Sequence, residues 1–243
     1  ADEALKARYN VNWRAEVPLA GKRMIDWVLS AIRESGSVGH VILVADFGAD
    51  ADITLKPGAS FLDNVMAGVE AAGEAETLMV TASDIPLATG EAFSFLVGEG
   101  MKKNADFVYP VINRIDCDAK YPRLRRTYHR VREGTFTGGN AVLVRRQYVL
   151  SSRERIEQLY QARKHPLKLA SMIGFGTLIR AAAAKKLWAG ALSIPAIERA
   201  AERTMGGRLR ALVCPWPELG EDLDKLEDFV EGERLLGQLK PGD

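Results

Sequence analysis

The fold is decided by one stretch, Leu78-Met79-Val80-Thr81-Ala82-Ser83-Asp84-Ile85-Pro86-Leu87. Its first half is a short apolar run of the kind that forms a strand buried on both faces of a sheet. Asp84 follows where that strand ends, and Pro86 prevents the strand from continuing, because proline has no N–H to donate to a neighbour. Ligands of parallel α/β sheets bind at the carboxyl ends of the strands. The stretch therefore predicts that Asp84 faces a ligand crevice.

Helices and strands are predicted to alternate on both sides of this stretch. Apolar residues recur at helical spacing in the helices and form short continuous runs in the strands. The pattern predicts an α/β fold with a mixed, mainly parallel sheet, in a single domain over residues 1–243 with a helical insertion at about 151–205. The predicted elements are helix 23–34, strand 41–45, helix 60–72 with Ser60 as its cap, strand 78–82, helix 89–98, strand 106–112, an exposed antiparallel ribbon over 123–132, a glycine-kinked strand over 135–144, strand 208–214 and a C-terminal helix.

The composition excludes several classes of protein. Lys and Arg number 33 against 32 Asp and Glu, and a net charge of +1 gives no overall positive field for nucleic acid, so we expect a small-molecule partner. Cys117 and Cys214 form no CxxC pair, which argues against a disulfide framework or a zinc site. The first ten residues lack the apolar core of a signal peptide, and the apolar stretch 167–194 is interrupted by charges. We therefore expect a cytoplasmic protein without a transmembrane segment.

A second acidic segment, Asp222-Leu223-Asp224, lies near the C-terminus. If it is extended, both aspartates share one side while Leu223 faces the core, so two carboxylates can meet a common metal. Carboxylates suit Mg²⁺, which binds one or two of them together with substrate phosphates. Both acidic features are also typical of simpler structures. Asp84 could cap a helix that begins near Pro86, and the C-terminal segment could be a solvated loop with Asp228 at a helix start.

Two further segments are candidates for substrate binding. Gly138 and Gly139 let another group approach the backbone closely, while Thr137 and Asn140 offer hydrogen-bonding groups to an acceptor. A hairpin turn would use the same residues. An arginine cluster could grip phosphate or carboxylate, although its alternation is also typical of the solvated face of a ribbon. That cluster consists of Arg123, Arg125, Arg126, Arg130 and Arg132.

Taken in order, four segments resemble the nucleotidyltransferases related to molybdenum-cofactor guanylyltransferase, the MobA-like NTP transferases, and more distantly the sugar-nucleotide pyrophosphorylases. The segments are Gly21-Lys22-Arg23-Met24-Ile25-Asp26-Trp27-Val28, Ser83-Asp84-Ile85-Pro86, Thr135 to Asn140, and Asp222-x-Asp224-x3-Asp228. The resemblance implies a Rossmann-like GT-A fold, a three-layer α/β/α arrangement. It also implies transfer of a nucleoside monophosphate from an NTP to a phosphate or hydroxyl acceptor, with release of pyrophosphate and Mg²⁺ as the cofactor.

The resemblance also assigns roles to individual residues. Asp84 matches the family's metal-binding aspartate and Asp224 the aspartate of its C-terminal motif, so both are expected to be catalytic metal ligands, with Asp222 as a reserve ligand. Lys22 lies in the family's Gly-Lys-Pro-Met loop, although Arg23 here replaces the proline. Together with the glycine segment, the expected substrate-binding residues are Arg14, Lys22, Ser60, Asn64, Thr137, Gly138, Gly139 and Asn140.

The resemblance fails at the N-terminus. The family opens with a buried strand and an Ala-Gly-Gly-type loop that cradles the triphosphate. This sequence opens with Ala1-Asp2-Glu3-Ala4-Leu5, which resembles the stretch just after that loop. We expect the strand and loop to precede Ala1, because loss of a central strand would expose unpaired backbone and a hydrophobic face.

Two other functions stay open at this point. One is a GT-A glycosyltransferase that uses a nucleotide sugar, although the Asp222-Leu223-Asp224 pair lies nearer the C-terminus than is usual in that fold. The other is a catalytically silent nucleotide-binding or scaffold protein, which a true loss of the phosphate loop would favour. The helical stretch 151–205 could form a homodimer contact or lie on a membrane surface, and an ordinary helical layer explains the same pattern.

Overall fold

The structure is a computed structural model that describes residues 3–162 and 192–238. Helices and strands alternate along most of this chain. The strands are β1 (Pro18–Leu19), β2 (Lys22–Arg23), β3 (Ile42–Val44), β4 (Ile53–Leu55), β5 (Thr77–Thr81), β6 (Phe107–Asn113), β7 (His129–Val131), β8 (Gly134–Gly138), β9 (Ala141–Arg145) and β10 (Leu209–Cys214). The α-helices are α1 (Glu3–Tyr9), α2 (Met24–Glu34), α3 (Phe61–Ala71), α4 (Gly90–Lys102), α5 (Arg114–Lys120), α6 (Arg146–Ser151), α7 (Arg153–Ala162), α8 (Ile194–Met205) and α9 (Leu226–Gln238). Short 3-10 helices cover Arg14–Glu16 and Pro217–Gly220.

The central sheet has six strands in the order β5-β9-β6-β8-β7, with β10 also paired to β6. β10 runs parallel to β6, whereas β9 runs antiparallel to β5 and β6, and β8 runs antiparallel to β6 and β7. β3 and β4 form a separate parallel pair, and β1 and β2 an antiparallel one. The α/β class and the mixed sheet are confirmed. The expectation of a mainly parallel sheet is wrong for the described strands, because β8 and β9 follow each other along one edge of β6 and both run against their neighbours.

Two glycines explain the bend between β8 and β9. A Cβ atom on Gly138 would collide with the hydroxyl group of Tyr109, and one on Gly139 would lie 2.8 Å from Cγ of Pro110. The Gly139 amide also donates to the Pro110 carbonyl oxygen at 3.0 Å. Because β8 and β9 pair with β6 and not with each other, the glycine-kinked strand predicted over 135–144 is confirmed, and the alternative of a hairpin turn is wrong.

Helices cover both faces of the sheet, as a three-layer fold requires. Leu143 and Val144 are adjacent in β9 and therefore point to opposite faces. Leu143 packs in a core with α2 and α4, where Phe93 is fully buried. Val144 packs in a second core with α3 and α6, where Met66 is buried. Full burial of each such side chain contributes about 1.5–3 kcal/mol to folding.

A third apolar cluster lies beneath the C-terminal acidic segment. Leu223 is fully buried there, together with Phe229 and Leu236 of α9 and with Leu19 and Met24 from the N-terminal part of the chain. This cluster anchors the segment that carries Asp222 and Asp224.

Helix α8 covers the edge of β10 that does not face β6. The carboxylate of Glu198 accepts a hydrogen bond from the Ala211 amide at 2.8 Å, and the carboxylate of Glu202 accepts one from the Leu209 amide at 3.3 Å. Two backbone donors of an otherwise open sheet edge are thereby satisfied. The single domain with a helical insertion at 151–205 stays a prediction, because residues 163–191 lie outside the described residues.

Other local predictions are confirmed in part. The helices predicted over 23–34, 60–72 and 89–98 correspond to α2, α3 and α4, and α4 continues to Lys102. The ribbon predicted over 123–132 is wrong except for the short strand β7, because residues 123–128 pair with none of the described strands, although their side chains do alternate between more and less exposed positions. β5 is half-buried along its length, since it forms one end of the sheet in the described part of the chain. None of the described helices is long and apolar enough to cross a bilayer.

Candidate active site

Three carboxylates converge beyond the carboxyl end of β5. One oxygen atom each from Asp84, Asp222 and Asp224 lies within 4.8 Å of the other two. The amide of Leu223 donates to the carbonyl oxygen of Asp84 at 2.9 Å, while its side chain is fully buried. One backbone hydrogen bond and one apolar anchor thus join two segments that are far apart in sequence.

Of the two simpler interpretations, the one for Asp84 is wrong, whereas Asp228 does lie in the first turn of α9 and Asp224 is exposed. Helix α4 begins only at Gly90, and its cap is Thr89, so Asp84 caps no helix. The C-terminal segment is ordered by Asp228, whose Oδ2 accepts hydrogen bonds from the amide of Asp224 at 3.3 Å and from that of Lys225 at 2.8 Å.

Arg14 is the counter-ion of two of these carboxylates. Its Nη1 atom lies 3.0 Å from Oδ2 of Asp84 and also contacts Oδ1 of Asp224. The guanidinium therefore lies between two acids that would otherwise repel each other. The resemblance predicted Arg14 as a substrate-binding residue, and the structure brings it to the acidic cluster.

Arg126 holds the third carboxylate. Its Nη1 atom contacts Oδ1 of Asp222, and its Nε atom lies 3.8 Å from Oε2 of Glu221. Nδ2 of Asn140 donates to the same Asp222 oxygen at 3.2 Å. Burial favours the neutral form of Asp222, but the hydrogen bond and charge of Arg126 hold its pKa below the ordinary value. No spacing in the sequence distinguishes Arg126 from the four other arginines of its cluster, so its place here was not predicted.

Asp84 lies in surroundings that are short of positive charge. Burial raises its pKa above the ordinary value, and the negative charge of Asp222 raises it further, against the opposing effect of Arg14. The ionised form of Asp84 is therefore destabilised in the folded chain, and an additional cation would remove this destabilisation.

The three aspartates fit a hard divalent cation. All of their ligand atoms are carboxylate oxygens, and the side chain of Asp224 is more than half exposed, which leaves the cluster open to solvent. Oxygens on opposite sides of an octahedral Mg²⁺ ion are about 4.2 Å apart. The ligand atoms of the cluster lie within 4.8 Å of one another, which is close to this diameter, and the Arg14 guanidinium contacts two of its members.

Two buried glutamates lie next to this cluster, and no sequence pattern indicated them. Glu221 is 1% exposed, and burial raises its pKa to about 7, with Arg126 opposing the shift. Glu218 is fully buried, and one of its oxygens contacts Nζ of Lys120 at 2.9 Å. Buried carboxylates are unfavourable unless they are paired or protonated. The acidic end of the sheet therefore holds two buried carboxyl groups besides its three aspartates.

Of the four residues predicted in the glycine segment, Asn140 makes the direct contact with the cluster. Its carbonyl oxygen also accepts from the Ala82 amide at 2.8 Å, which ties the start of β9 to the end of β5. Thr137 is buried within β8. Gly138 and Gly139 serve the bend described above, and that bend places Asn140.

Three other predicted residues make local contacts instead. Nζ of Lys22 lies 4.7 Å from the ring centroid of Trp27. Oγ of Ser60 accepts from the Asp63 amide at 3.1 Å and caps α3, as the sequence predicted. Oδ1 of Asn64 accepts from the Gly58 amide at 2.7 Å. These contacts organise the β1–β2 hairpin and the loop before α3, and they do not extend to the acidic cluster.

This chain matches one family model and is similar to several solved structures. The model of the MobA-like NTP transferase domain matches residues 7–187. A hypothetical transferase from Thermus thermophilus is 32% identical, with a TM-score of 0.83, over 94% of this chain and 95% of that one. No curated protein matches the chain significantly.

Two more distant structures resemble this chain in fold alone. 2-C-methyl-D-erythritol 4-phosphate cytidylyltransferase, also from Thermus thermophilus, is 13% identical, with a TM-score of 0.53 over 91% of this chain and 92% of that one. 4-Diphosphocytidyl-2C-methyl-D-erythritol synthase from Anaerococcus prevotii is 10% identical, with a TM-score of 0.55 and the same coverage, 91% and 92%.

Proposed function

The chain belongs to the MobA-like NTP transferase family and is a nucleotidyltransferase, and from this premise we propose its reaction. It transfers a nucleoside monophosphate from an NTP to a phosphate or hydroxyl group of a small-molecule acceptor and releases pyrophosphate, with Mg²⁺ as the cofactor. The observation that carries the proposal is the convergence of Asp84, Asp222 and Asp224 within 4.8 Å beyond the end of β5.

The chemistry requires positioning and charge neutralisation more than a covalent enzyme intermediate. An acceptor oxygen attacks the α-phosphorus of the NTP, and the bond from that phosphorus to the bridging oxygen of the β-phosphate breaks. A bound Mg²⁺ ion would supply neutralisation of the triphosphate charge. Asp84 and Asp224 hold that ion in the proposal, and Arg126 and Asn140 keep the carboxylate of Asp222 directed at it.

Arg14 has two roles in this proposal. In the absence of a cation, its guanidinium neutralises Asp84 and Asp224. A metal ion held by Asp84 and Asp224 would compete with the guanidinium for these carboxylates. The displaced guanidinium then remains near the cluster, where it can pair with a phosphate of the incoming NTP.

The remaining predicted residues lie around this centre in the proposal. Lys22, an exposed residue whose ammonium group lies over the Trp27 ring, is assigned in the proposal to a phosphate of the NTP. Ser60 and Asn64 shape the loop before α3, which the resemblance assigns to the nucleobase. Localisation in the cytoplasm and a homodimer stay predictions.

Nucleotide binding followed by thermal unfolding tests the proposal. Each of the four NTPs is added with Mg²⁺ and then with EDTA, and nucleotide sugars are included as competitors. A ligand at 100 times its dissociation constant adds about 2.7 kcal/mol to stability. We expect at least one NTP to stabilise the chain only when Mg²⁺ is present.

The variant Asp84→Asn should lose this stabilisation. Asp118→Asn is the matched control, because Asp118 is an exposed aspartate paired with Arg114 on α5. Stabilisation by a nucleotide sugar alone would support a glycosyltransferase instead. The absence of a shift with every nucleotide would favour the silent scaffold.

A further inference from the structure

A cavity of about 560 Å³ lies at the end of the central sheet opposite the acidic cluster. It is lined by residues at the start of β6 and β10 and at the end of β9. Strand β9 connects the two places, because Asn140, just before it, contacts Asp222, and Arg145, its last residue, lines the cavity. Five residues of extended strand separate the two ends by about 17 Å. The cavity is therefore distinct from the proposed active site.

Arginine is the main charged residue of this cavity. Arg145, Arg208 and Arg210 line it together with Asp106 and Glu202. An adjoining cavity of about 840 Å³ shares part of this lining and adds two arginines and one acid. The added charged residues are Arg153, Glu154 and Arg155. Five arginines and three acids thus line the two cavities, and Arg153 is also paired with Glu70 outside them.

Two of these arginines have no strong carboxylate partner in the described part of the chain. Nη1 of Arg208 donates to the carbonyl oxygen of Asn104 at 2.7 Å. Nη1 of Arg145 lies 3.8 Å from a carboxylate oxygen of Glu76, whose side chain is 88% exposed, so this ion pair is weak. Arg210 differs, because it is paired with Glu202. An incoming anion would therefore meet Arg145 and Arg208.

The turn after α8 forms part of the lining. Gly207 adopts φ +74, and a Cβ atom there would collide with the ring of Tyr148 and would lie 3.1 Å from Oδ2 of Asp106. That same oxygen accepts from the Arg208 amide at 2.7 Å. Glycine is needed for this close packing, which fixes the backbone of Arg208 at the mouth of the cavity.

We propose that this cavity is a second binding site, which takes the phosphate group of a small phosphorylated molecule between Arg145 and Arg208. The planar fork of a guanidinium group matches phosphate oxygens, and two such groups can share one phosphate. Cavities that bind small molecules have volumes of roughly 300–1,000 Å³, so a cavity of 560 Å³ has room for an organic group beyond the phosphate. The site is independent of the proposed reaction, because it contains none of the residues assigned to that reaction.

Isothermal titration calorimetry on the full chain tests this site. The titrants are inorganic phosphate and glycerol 3-phosphate, in the presence of EDTA and at constant ionic strength. We expect one binding site, with binding at least tenfold weaker in the double variant Arg145→Gln/Arg208→Gln. Arg199→Gln is the matched control, since Arg199 is an exposed arginine of α8 outside the cavity lining, and it should bind like the unaltered chain.

The variants also separate this site from the acidic end of the sheet. Asp84→Asn should leave phosphate binding unchanged. Tighter binding of the ester than of phosphate supports an organic ligand, and equal binding supports phosphate itself as the ligand. If the double variant does not fold, Arg145→Gln alone supplies the comparison. The proposal is overturned if neither titrant binds, if the arginine variants bind as tightly as the unaltered chain, or if Arg199→Gln or Arg14→Gln weakens binding equally.

Discussion

The two ends of the central sheet carry opposite charges. At the carboxyl end of β5, Asp84 meets two aspartates from the C-terminal segment, and Arg14 and Arg126 only partly compensate them. At the other end, three arginines and two acids line the cavity, and Arg145 and Arg208 have no strong carboxylate partner among the described residues. Asn140, just before β9, lies at the first end, and Arg145, the last residue of β9, lies at the second. The first end is therefore suited to a cation and the second to an anion. Changes of charge at the acidic end test this contrast.

The largest effect is expected from removing a negative charge at the centre of the acidic end. Asp84→Asn should lower kcat/KM for nucleotidyl transfer by about 10³-fold or more, which corresponds to about 4 kcal/mol of transition-state stabilisation. The reason is that the proposed metal would lose a carboxylate ligand that is largely shielded from solvent. Of the three aspartates, only Asp222 is less exposed than Asp84. Release of pyrophosphate from the NTP that binds is the measurement. Activity within tenfold of the unaltered chain would remove Asp84 from the proposed site.

Removing the buried cation of the same end should affect folding instead. Arg126→Met leaves Asp222 and Glu221 without their guanidinium, and loss of one partner from a buried ion pair costs roughly 3–5 kcal/mol. Because the side chain of Asp222 is still 21% exposed, we expect about 3 kcal/mol less stability in urea unfolding at pH 7. Arg125→Met alters the exposed neighbour of Arg126 and should change stability little. Equal losses in both variants would contradict the role of Arg126.

Much of this acidic end could be predicted from the sequence, because its residues follow strong local signals. Asp84 follows soon after an apolar run, and the alternation around Leu223 separates one buried residue from a half-buried and an exposed aspartate. The helices were found for the same reason, since the apolar spacing of α2, α3 and α4 depends on neighbouring residues alone.

The remaining features depend on contacts between distant segments. Nothing local distinguishes Arg126 from Arg125, because the partner of Arg126 lies 96 residues further along the chain. Strand direction is equally non-local, so the antiparallel course of β8 and β9 was not predicted. Arg208 and Arg210 were missed because the start of a strand carries no expectation of ligand binding, and Arg145 because the antiparallel direction of β9 was not predicted.

The pH dependence of stability should reveal the excess of buried acid. The pKa of Glu221 is raised from 4.5 in the unfolded chain to about 7 in the folded one. A raised folded pKa means that the folded state binds the proton more tightly, so this contribution to stability is complete below pH 4.5 and is lost as the pH rises through 7. The variant Glu221→Gln keeps a neutral side chain throughout. Relative to the unaltered chain, its stability should increase by about 2.5 kcal/mol between pH 5 and pH 8, by urea unfolding. A constant difference between the two pH values would exclude titration of Glu221 as the cause.

The smallest effect, and the one that most sharply tests the contrast between the two ends, concerns Arg14. If its guanidinium occupies the place of the metal ion, Arg14→Gln should bind Mg²⁺ about tenfold more tightly in the absence of nucleotide, a gain of about 1.4 kcal/mol. Titration calorimetry with Mg²⁺ alone measures this, and Arg8→Gln, which alters an exposed arginine of α1, should leave the affinity unchanged. The same Arg14 variant should bind the metal–NTP complex less tightly, because the displaced guanidinium is then missing from the phosphates. An unchanged or weaker affinity for Mg²⁺ alone would mean that Arg14 aligns Asp84 and Asp224 for the metal and does not compete with it.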